Sequence, residues 1–236
     1  IIVLDKLSPD GLALLDAAGR LGISYEVKTG LSGQELKEAL ASHDGAICRS
    51  GVKITADVLA GNHRLRAIVR AGVGTDNIDK QAATRQGIVV MNTPAGNTVS
   101  TAEHAFTLLL ALSRNVAPAD ASLREKRWDR SKYMGVQLAG KTLGIVGMGR
   151  IGQAVASRAR AFDMRVVVYD PFLAAERAGE LGVELFGSVR EMLPELDYLT
   201  VHTPLTDDTR HLIGKEELSL LKPGVRVVNC ARGGIY

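Results

Sequence analysis

The sequence predicts an α/β protein of two doubly wound parallel sheets, one in each half of the chain. Three observations point there. Short apolar runs alternate with helix-period segments through most of the 236 residues, the pattern of strands joined by crossover helices. The alternation is interrupted once, after residue 97, by a long segment that is apolar nearly all round. It then restarts at Lys141 with a strand, a glycine-rich turn and a helix.

In the first half, Ile1–Leu4, Ser24–Lys28, Ala46–Arg49, Ala67–Arg70 and Val89–Met91 read as strands. Asp10–Gly19, Gly33–Ser42, Thr55–Ala60 and Lys80–Gln86 read as helices. Ser32 followed by Glu35 fits a capping box. Gly19 and Gly87 stand just past helix ends, where a left-handed residue is wanted. From Thr98 to Asn115, Ala102, Ala105, Phe106, Leu108, Leu109, Leu110 and Leu112 predict a helix buried on most sides. Pro118 is expected to interrupt it, with a second helix running to about Arg127. Such a segment suits a bridge between domains or a subunit interface. In the second half, Lys141–Val146, Arg165–Tyr169, Glu184–Phe186, Tyr198–Thr203 and Arg226–Ala231 read as strands. Ile151–Phe162, Leu173–Leu181, Val189–Leu193 and Lys215–Leu220 read as helices. The expected domains are 1–97 and 98–236, with no internal repeat and no low-complexity segment.

Composition narrows the function classes. The chain is 46% apolar and 23% charged, as in ordinary globular proteins, and with 4% aromatics its core must be aliphatic. A net charge of +3, from 29 basic and 26 acidic residues, is too weak and too evenly spread to suggest nucleic acid. It does suit a small anionic substrate. Cys48 and Cys230 show no CxxC spacing, which argues against a zinc site or a redox dithiol. Both are expected to be free thiols in a reducing cytoplasm. The start, Ile1-Ile2-Val3-Leu4-Asp5, has no basic flank and does not read as a signal peptide. It also lacks Met, so residues upstream are expected either to have been removed or to lie outside this stretch. No apolar run approaches the ~20 residues of a membrane helix.

The chemistry is concentrated in Gly147-Met148-Gly149-Arg150-Ile151-Gly152. A GxGxxG is weak alone, but this one follows the strand Leu143–Val146 and opens the helix at Gln153, the context a dinucleotide site requires. Gly147 permits the tight turn, Gly149 lets a pyrophosphate approach the backbone, and Gly152 lets helix and strand pack closely. The second strand ends at Asp170, the place of an acid that binds adenosine ribose hydroxyls. A 2′-phosphate beside it would be repelled, by roughly 4 kcal/mol for unit charges ~4 Å apart at an effective dielectric of 20. NAD is therefore expected over NADP.

Three blocks beginning at Val146, Val201 and Val228 resemble the signature blocks of the D-2-hydroxyacid dehydrogenases. They are Val146–Gly152, Val201-His202-Thr203-Pro204-Leu205-Thr206 and Val228-Asn229-Cys230-Ala231-Arg232-Gly233-Gly234. Arg70–Asp79, Met91–Asn97 and Trp128–Gly135 fit the same family. The resemblance spans essentially the whole chain. It implies a flavodoxin-like substrate domain, a Rossmann NAD-binding domain, and hydride transfer between C2 of a 2-hydroxy acid and the nicotinamide. Arg232 matches the family's substrate-carboxylate arginine, and it also borders the cofactor. Arg150 and Ile151 would offer backbone groups to the pyrophosphate, and Thr203 would lie beside the cofactor. Cys230 and Ala231 would line the nicotinamide side. Val73 would touch the nicotinamide region from the other domain, where close relatives often carry Thr. Backbone N–H groups of Val73 and Gly74 would hold the substrate carboxylate, and Asn97 would face the same crevice. The family's catalytic Glu and His fall beyond Tyr236, so this stretch alone is expected to lack normal turnover.

Arg49 and Arg70 each end a strand of the first sheet and are expected at one edge, where two guanidinium groups suit a phosphate. Arg130 is expected to add a third, from this or a neighbouring subunit. Solvated or salt-bridged arginines are the plainer alternative for all three. Two guanidinium groups favour a phosphorylated 2-hydroxy acid, and the resemblance implies 3-phospho-D-glycerate, oxidised with NAD to 3-phosphohydroxypyruvate. The alternatives are a glyoxylate or hydroxypyruvate reductase or another D-2-hydroxyacid dehydrogenase, and an NAD-sensing, non-catalytic binding protein of the same fold. His202 and His104 read as structural, and His43, His63 and His211 lie in no motif or metal-ligand spacing. A cytoplasmic homo-oligomer, dimer or tetramer, is expected, with no nucleic-acid or membrane partner and no metal.

Overall fold

A computed structural model describes residues 1–236, which form two compact units, Ile1–Asn97 and Thr98–Tyr236. In the first, strands β1 (Ile2–Val3), β2 (Glu26–Val27), β3 (Gly45–Cys48), β4 (Ala67–Arg70) and β5 (Val89–Asn92) form a parallel sheet. Its order is β2-β1-β3-β4-β5, the flavodoxin-like winding. Helices α1 (Pro9–Ala18), α2 (Gly33–Ala41), α3 (Ala56–Leu59) and α4 (Lys80–Arg85) connect the strands. The core is aliphatic: Ile2, Leu4, Leu36, Leu40, Leu59 and Ile68 are almost wholly buried.

In the second unit, β6 (Thr142–Val146), β7 (Arg165–Tyr169), β8 (Glu184–Leu185), β9 (Tyr198–Val201) and β10 (Arg226–Asn229) are again all parallel. The order β10-β9-β6-β7-β8 is the Rossmann arrangement, reversing direction between β6 and β9. The helices are α5 (Thr98–Ser113), α6 (Val116–Arg124), α7 (Arg150–Ala161), α8 (Ala175–Leu181), α9 (Val189–Met192) and α10 (Lys215–Ser219). β6 is buried along its whole length, as a central parallel strand with helices on both faces should be. α5 packs on α7 and β10, with Phe106 edge-on to Phe162 at 5.0 Å. At its end, Ser113 Oγ meets the buried Tyr198 hydroxyl at 2.8 Å and donates to or accepts from it.

Several local expectations need correction. The helix break falls at Asn115, whose φ of 52° is left-handed, and not at Pro118. Pro118 lies in the first turn of α6, where a missing N–H costs nothing. α5 is not buried all round: Ala102, Ala105, Phe106 and Leu109 face inward, while Val99, His104 and Leu112 are exposed. Ser32 caps α2 by position but its side chain makes no capping bond. The caps that do form are Ser8 to Gly11 N, Asp79 to Ala82 N and Ser188 to Glu191 N. Gly19 is right-handed and begins a short 3₁₀ turn, and the left-handed residue is Gly22, three residues later. Gly87 is left-handed, with φ 69°.

Gly144 is tightly packed in the second core. A Cβ there would lie 2.4 Å from Cδ1 of the fully buried Leu196. Gly144→Ala should lower stability by about 1–3 kcal/mol through overpacking, read as a lower urea midpoint. An unchanged midpoint would mean that Leu196 has room to move aside.

Candidate functional site

The candidate residues lie at the carboxyl ends of the two sheets, where open α/β sheets bind ligands. In the second unit the site begins where β6 stops. Gly147 has φ 94°, and its N–H donates to Tyr169 O at 2.9 Å. A Cβ at this position would come within 2.8 Å of Thr203 Cγ2 and 2.9 Å of His202 O. A Cβ on Gly152 would lie only 2.1 Å from Gly147 O. These two positions therefore exclude any side chain, one for conformation and space, the other for space alone. Gly149 differs: its φ is −66° and nothing lies within 4 Å of a Cβ there. What it leaves is open room over the N-terminus of α7. No side chain caps that terminus, so the first-turn N–H groups of Arg150, Ile151 and Gly152 have no side-chain acceptor.

Asp170 follows β7 and closes the loop. Its Oδ2 accepts from Met148 N at 2.7 Å, and its Oδ1 accepts from Phe172 N at 2.8 Å. Across the switch point, Thr203 follows β9. Its Oγ1 is buried and has no hydrogen-bond partner. Beside it, His202 N donates to Val146 O at 2.8 Å, and Nε2 lies 3.1 Å from Thr200 Oγ1. Burial pushes the His202 pKa down to about 4, so its ring is neutral at physiological pH.

The loop after β10 is held by Asn229. Its Oδ1 accepts from Ala231 N at 2.9 Å and its Nδ2 donates to Arg232 O at 2.8 Å. This clamps Cys230, Ala231 and Arg232 into one turn. The partly buried Arg232 donates from Nη1 to Ala231 O at 3.0 Å. Burial raises the Cys230 thiol pKa, so the thiol is not an activated nucleophile.

In the first unit the strand ends are tied by Asp5, which follows β1. Its Oδ2 accepts from Arg49 N at 2.6 Å and its Oδ1 from Gly51 N at 3.1 Å. Asn77 Nδ2 donates to Arg49 O and Val52 O at 2.8 and 2.9 Å. The Arg49 side chain is left exposed. Arg70 pairs in register with Cys48, the residue before Arg49, so the two arginines leave adjacent strand ends. Arg70 is half-buried, and its Nε is buried without a partner. The following loop is pinned by Ala71 N to Cys48 O at 2.8 Å and Thr93 N to Gly72 O at 3.0 Å. Asn92 Nδ2 also donates to Val73 O at 2.7 Å. Val73 and Gly74 are half-buried in that loop, and Asn97, the last residue of the unit, is exposed. Cys48 is buried, and burial pushes its pKa up to about 11, which makes it inert.

Two clusters are thus assembled: Gly147–Gly152 with Asp170 and Thr203, and Arg49 with Arg70 and the Ala71–Gly74 loop. Arg130 belongs to neither by any direct bond. It is exposed in a 3₁₀ turn, Arg130–Tyr133, whose following residues bond to the end of α5, Val136 N to Ser113 O. Sequence reading missed Asp5, Asn77 and Asn229, which bind backbone and touch no ligand-facing group. Their one sequence signal is a short polar side chain at a strand end or in the loop after a strand, a type suited to bonding nearby backbone.

The residues present fit a dinucleotide on three structural grounds. They are the open cradle over Gly149, the uncapped start of α7, and the orphaned Thr203 hydroxyl at the switch point. The buried His202 beside them makes stability pH-dependent. Its folded pKa lies below the unfolded value, so the unfolded chain takes up a proton first as pH falls. Stability should drop by up to about 3 kcal/mol between pH 6.5 and 4, and His202→Gln should remove that part of the slope in urea titrations. An unchanged slope would mean that the ring is hydrated in the native state.

Comparisons with known proteins agree with this geometry. Residues 106–236 match the family model described as D-isomer specific 2-hydroxyacid dehydrogenase, NAD binding domain. D-3-phosphoglycerate dehydrogenases of Methanocaldococcus jannaschii and Bacillus subtilis are each 46% identical over 235 residues, covering 100% of this chain and 44% of theirs. The chain therefore spans less than half the length of these curated relatives. Among solved structures, a Thermus thermophilus protein superposes with a TM-score of 0.88 at 37% identity, over 99% of this chain and 74% of that one. The Aquifex aeolicus D-lactate dehydrogenase, solved with NAD and lactic acid, gives 0.88 at 28% identity, over 100% of this chain and 70% of its own. With its glycine loop, acid and strand order in place, this chain belongs to the D-isomer specific 2-hydroxyacid dehydrogenase family.

Proposed function

We propose that the protein oxidises 3-phospho-D-glycerate at C2 with NAD, giving 3-phosphohydroxypyruvate, the reaction that opens serine biosynthesis. One observation carries the oxidoreductase reading: the glycine-built cradle at the β6/β9 switch point, closed by Asp170. NAD, when bound, supplies the hydride acceptor. The α7 N-terminus, through Gly149, Arg150 and Ile151, holds its pyrophosphate. Asp170 keeps lone pairs for the ribose hydroxyls and repels a 2′-phosphate. Thr203 gives its unpaired hydroxyl to the cofactor, and Cys230 and Ala231 border the nicotinamide.

Residues 98–236 form the NAD-binding domain in this reading and residues 1–97 the substrate domain. Arg232 takes the substrate carboxylate with its planar fork; the Val73 and Gly74 N–H groups, Asn97 and Arg130 are the further substrate contacts in this reading. Arg49 and Arg70 take the phosphate. Support for a phosphorylated substrate comes from the buried, unpartnered Nε of Arg70 and from the relatives' names. The protein works as a cytoplasmic homo-oligomer in this reading. Exposed Val99, Leu112, Val116 and Leu123 on α5 and α6 supply a contact surface.

The phosphate assignment is tested by affinity for two ligands. Arg49→Ala and Arg70→Ala should each weaken 3-phospho-D-glycerate binding roughly ten- to hundredfold, the range for losing a charged hydrogen bond. Unphosphorylated D-glycerate should change less than about threefold. Equal losses for both ligands would refute the assignment.

A further inference from the structure

Arg70, whose Nε is buried without a partner, lies against Gly72 in a way that the loop's proposed role as a carboxylate binder does not explain. Gly72 has φ +155°, a conformation that L side chains rarely adopt. A Cβ on it would lie 1.6 Å from Arg70 Nη1, 2.6 Å from Cζ and 3.3 Å from Nε. The guanidinium thus fills the volume that any side chain at position 72 would need. The chain doubles back to allow this: Gly72 N donates to Arg70 O at 2.9 Å, two residues away. The loop cannot easily retreat, because Ala71 is bonded to Cys48 and Gly72 O to Thr93 N. No carboxylate lies within ion-pair distance of Arg70. A half-buried cation with a buried, unbonded N–H is costly, and an anionic ligand relieves that cost.

We propose that Gly72 is a positioning residue that sets preference for a phosphorylated acid, by leaving the space beside the Ala71–Gly74 loop that the Arg70 guanidinium occupies. A long, free arginine loses rotamer freedom when it captures an anion. One already packed beside backbone has lost part of it before binding. The glycine thereby keeps a fixed cation beside the loop proposed to take the carboxylate, so that both ends of one small ligand are gripped together. This inference rests on the reading of Arg70 as a phosphate ligand. The proposed role is distinct from close approach of a cofactor, since the atoms nearest the missing Cβ belong to Arg70 alone.

The test is a double-mutant cycle on the full protein, reading dissociation constants by calorimetry for 3-phospho-D-glycerate and D-glycerate. Gly72→Ala and Arg70→Ala should each weaken the phosphorylated ligand roughly ten- to hundredfold and D-glycerate less than about threefold. The double variant should bind like Arg70→Ala alone, within about twofold, because the glycine acts through the arginine. Additive losses, or an equal loss for D-glycerate, would overturn the inference and assign Gly72 to loop shape only. A wild-type protein with no preference for the phosphorylated ligand would overturn the substrate reading itself, and this role with it. Arg70→Lys carries the test if Gly72→Ala does not fold. It keeps the charge and the glycine but lacks the planar fork, and should bind the phosphorylated ligand at least about tenfold more weakly. Wild-type affinity in Arg70→Lys would overturn the inference.

Discussion

The second unit depends on how closely helix α7 approaches the strand that precedes it. Gly152 brings the helix so near β6 that the carbonyl of Gly147 lies where its Cβ would stand. That approach places an uncapped helix start at the reversal of strand order, beside Thr203 from the neighbouring strand β9. Partial positive charge, free N–H groups and open space over Gly149 then coincide. A methyl group on Gly152 would push the helix out and separate them.

Both units fasten the loops at their strand ends in the same way. Each puts an aspartate just after a strand and uses both carboxylate oxygens to accept backbone N–H groups. Asp5 binds the N–H groups of Arg49 and Gly51, and Asp170 those of Met148 and Phe172. Each aspartate ties the end of one strand to the loop after its neighbour. Charge-assisted bonds of this kind are short and directional, so they fix loop shape at little cost in chain length. The two differ in what remains. Asp5 also abuts Gly51, where a Cβ would lie 2.1 Å from Oδ1, and its role is structural. Asp170 stands beside the glycine loop, where its Oδ2 accepts from Met148 N.

Strand and helix identity was legible in the sequence because parallel strands buried on both faces must be apolar runs, and β6, β7 and β9 are such runs. The glycine loop was legible because its spacing follows from covalent geometry. Caps and turns were not. Ser32 has the right residue and spacing yet makes no bond, while Asp79 caps α4 with nothing acidic three residues later. Asn115 ends a helix in place of the nearby proline because an asparagine tolerates the left-handed region that a continuing helix forbids. Among site residues, charged groups at strand ends could be named from position alone. The Arg70–Gly72 contact could not, since it depends on a backbone angle that any glycine permits and none announces.

The most direct measurement is the affinity of the protein for NADH and NADPH, followed by nicotinamide fluorescence. If Asp170 closes the cradle and turns its free lone pairs toward the ribose, NADH should bind at least about tenfold more tightly than NADPH, and Asp170→Ala should erase that preference. Equal affinities in the wild-type protein, or tighter binding of NADPH, would contradict the assignment of the second unit's switch point as an NAD site.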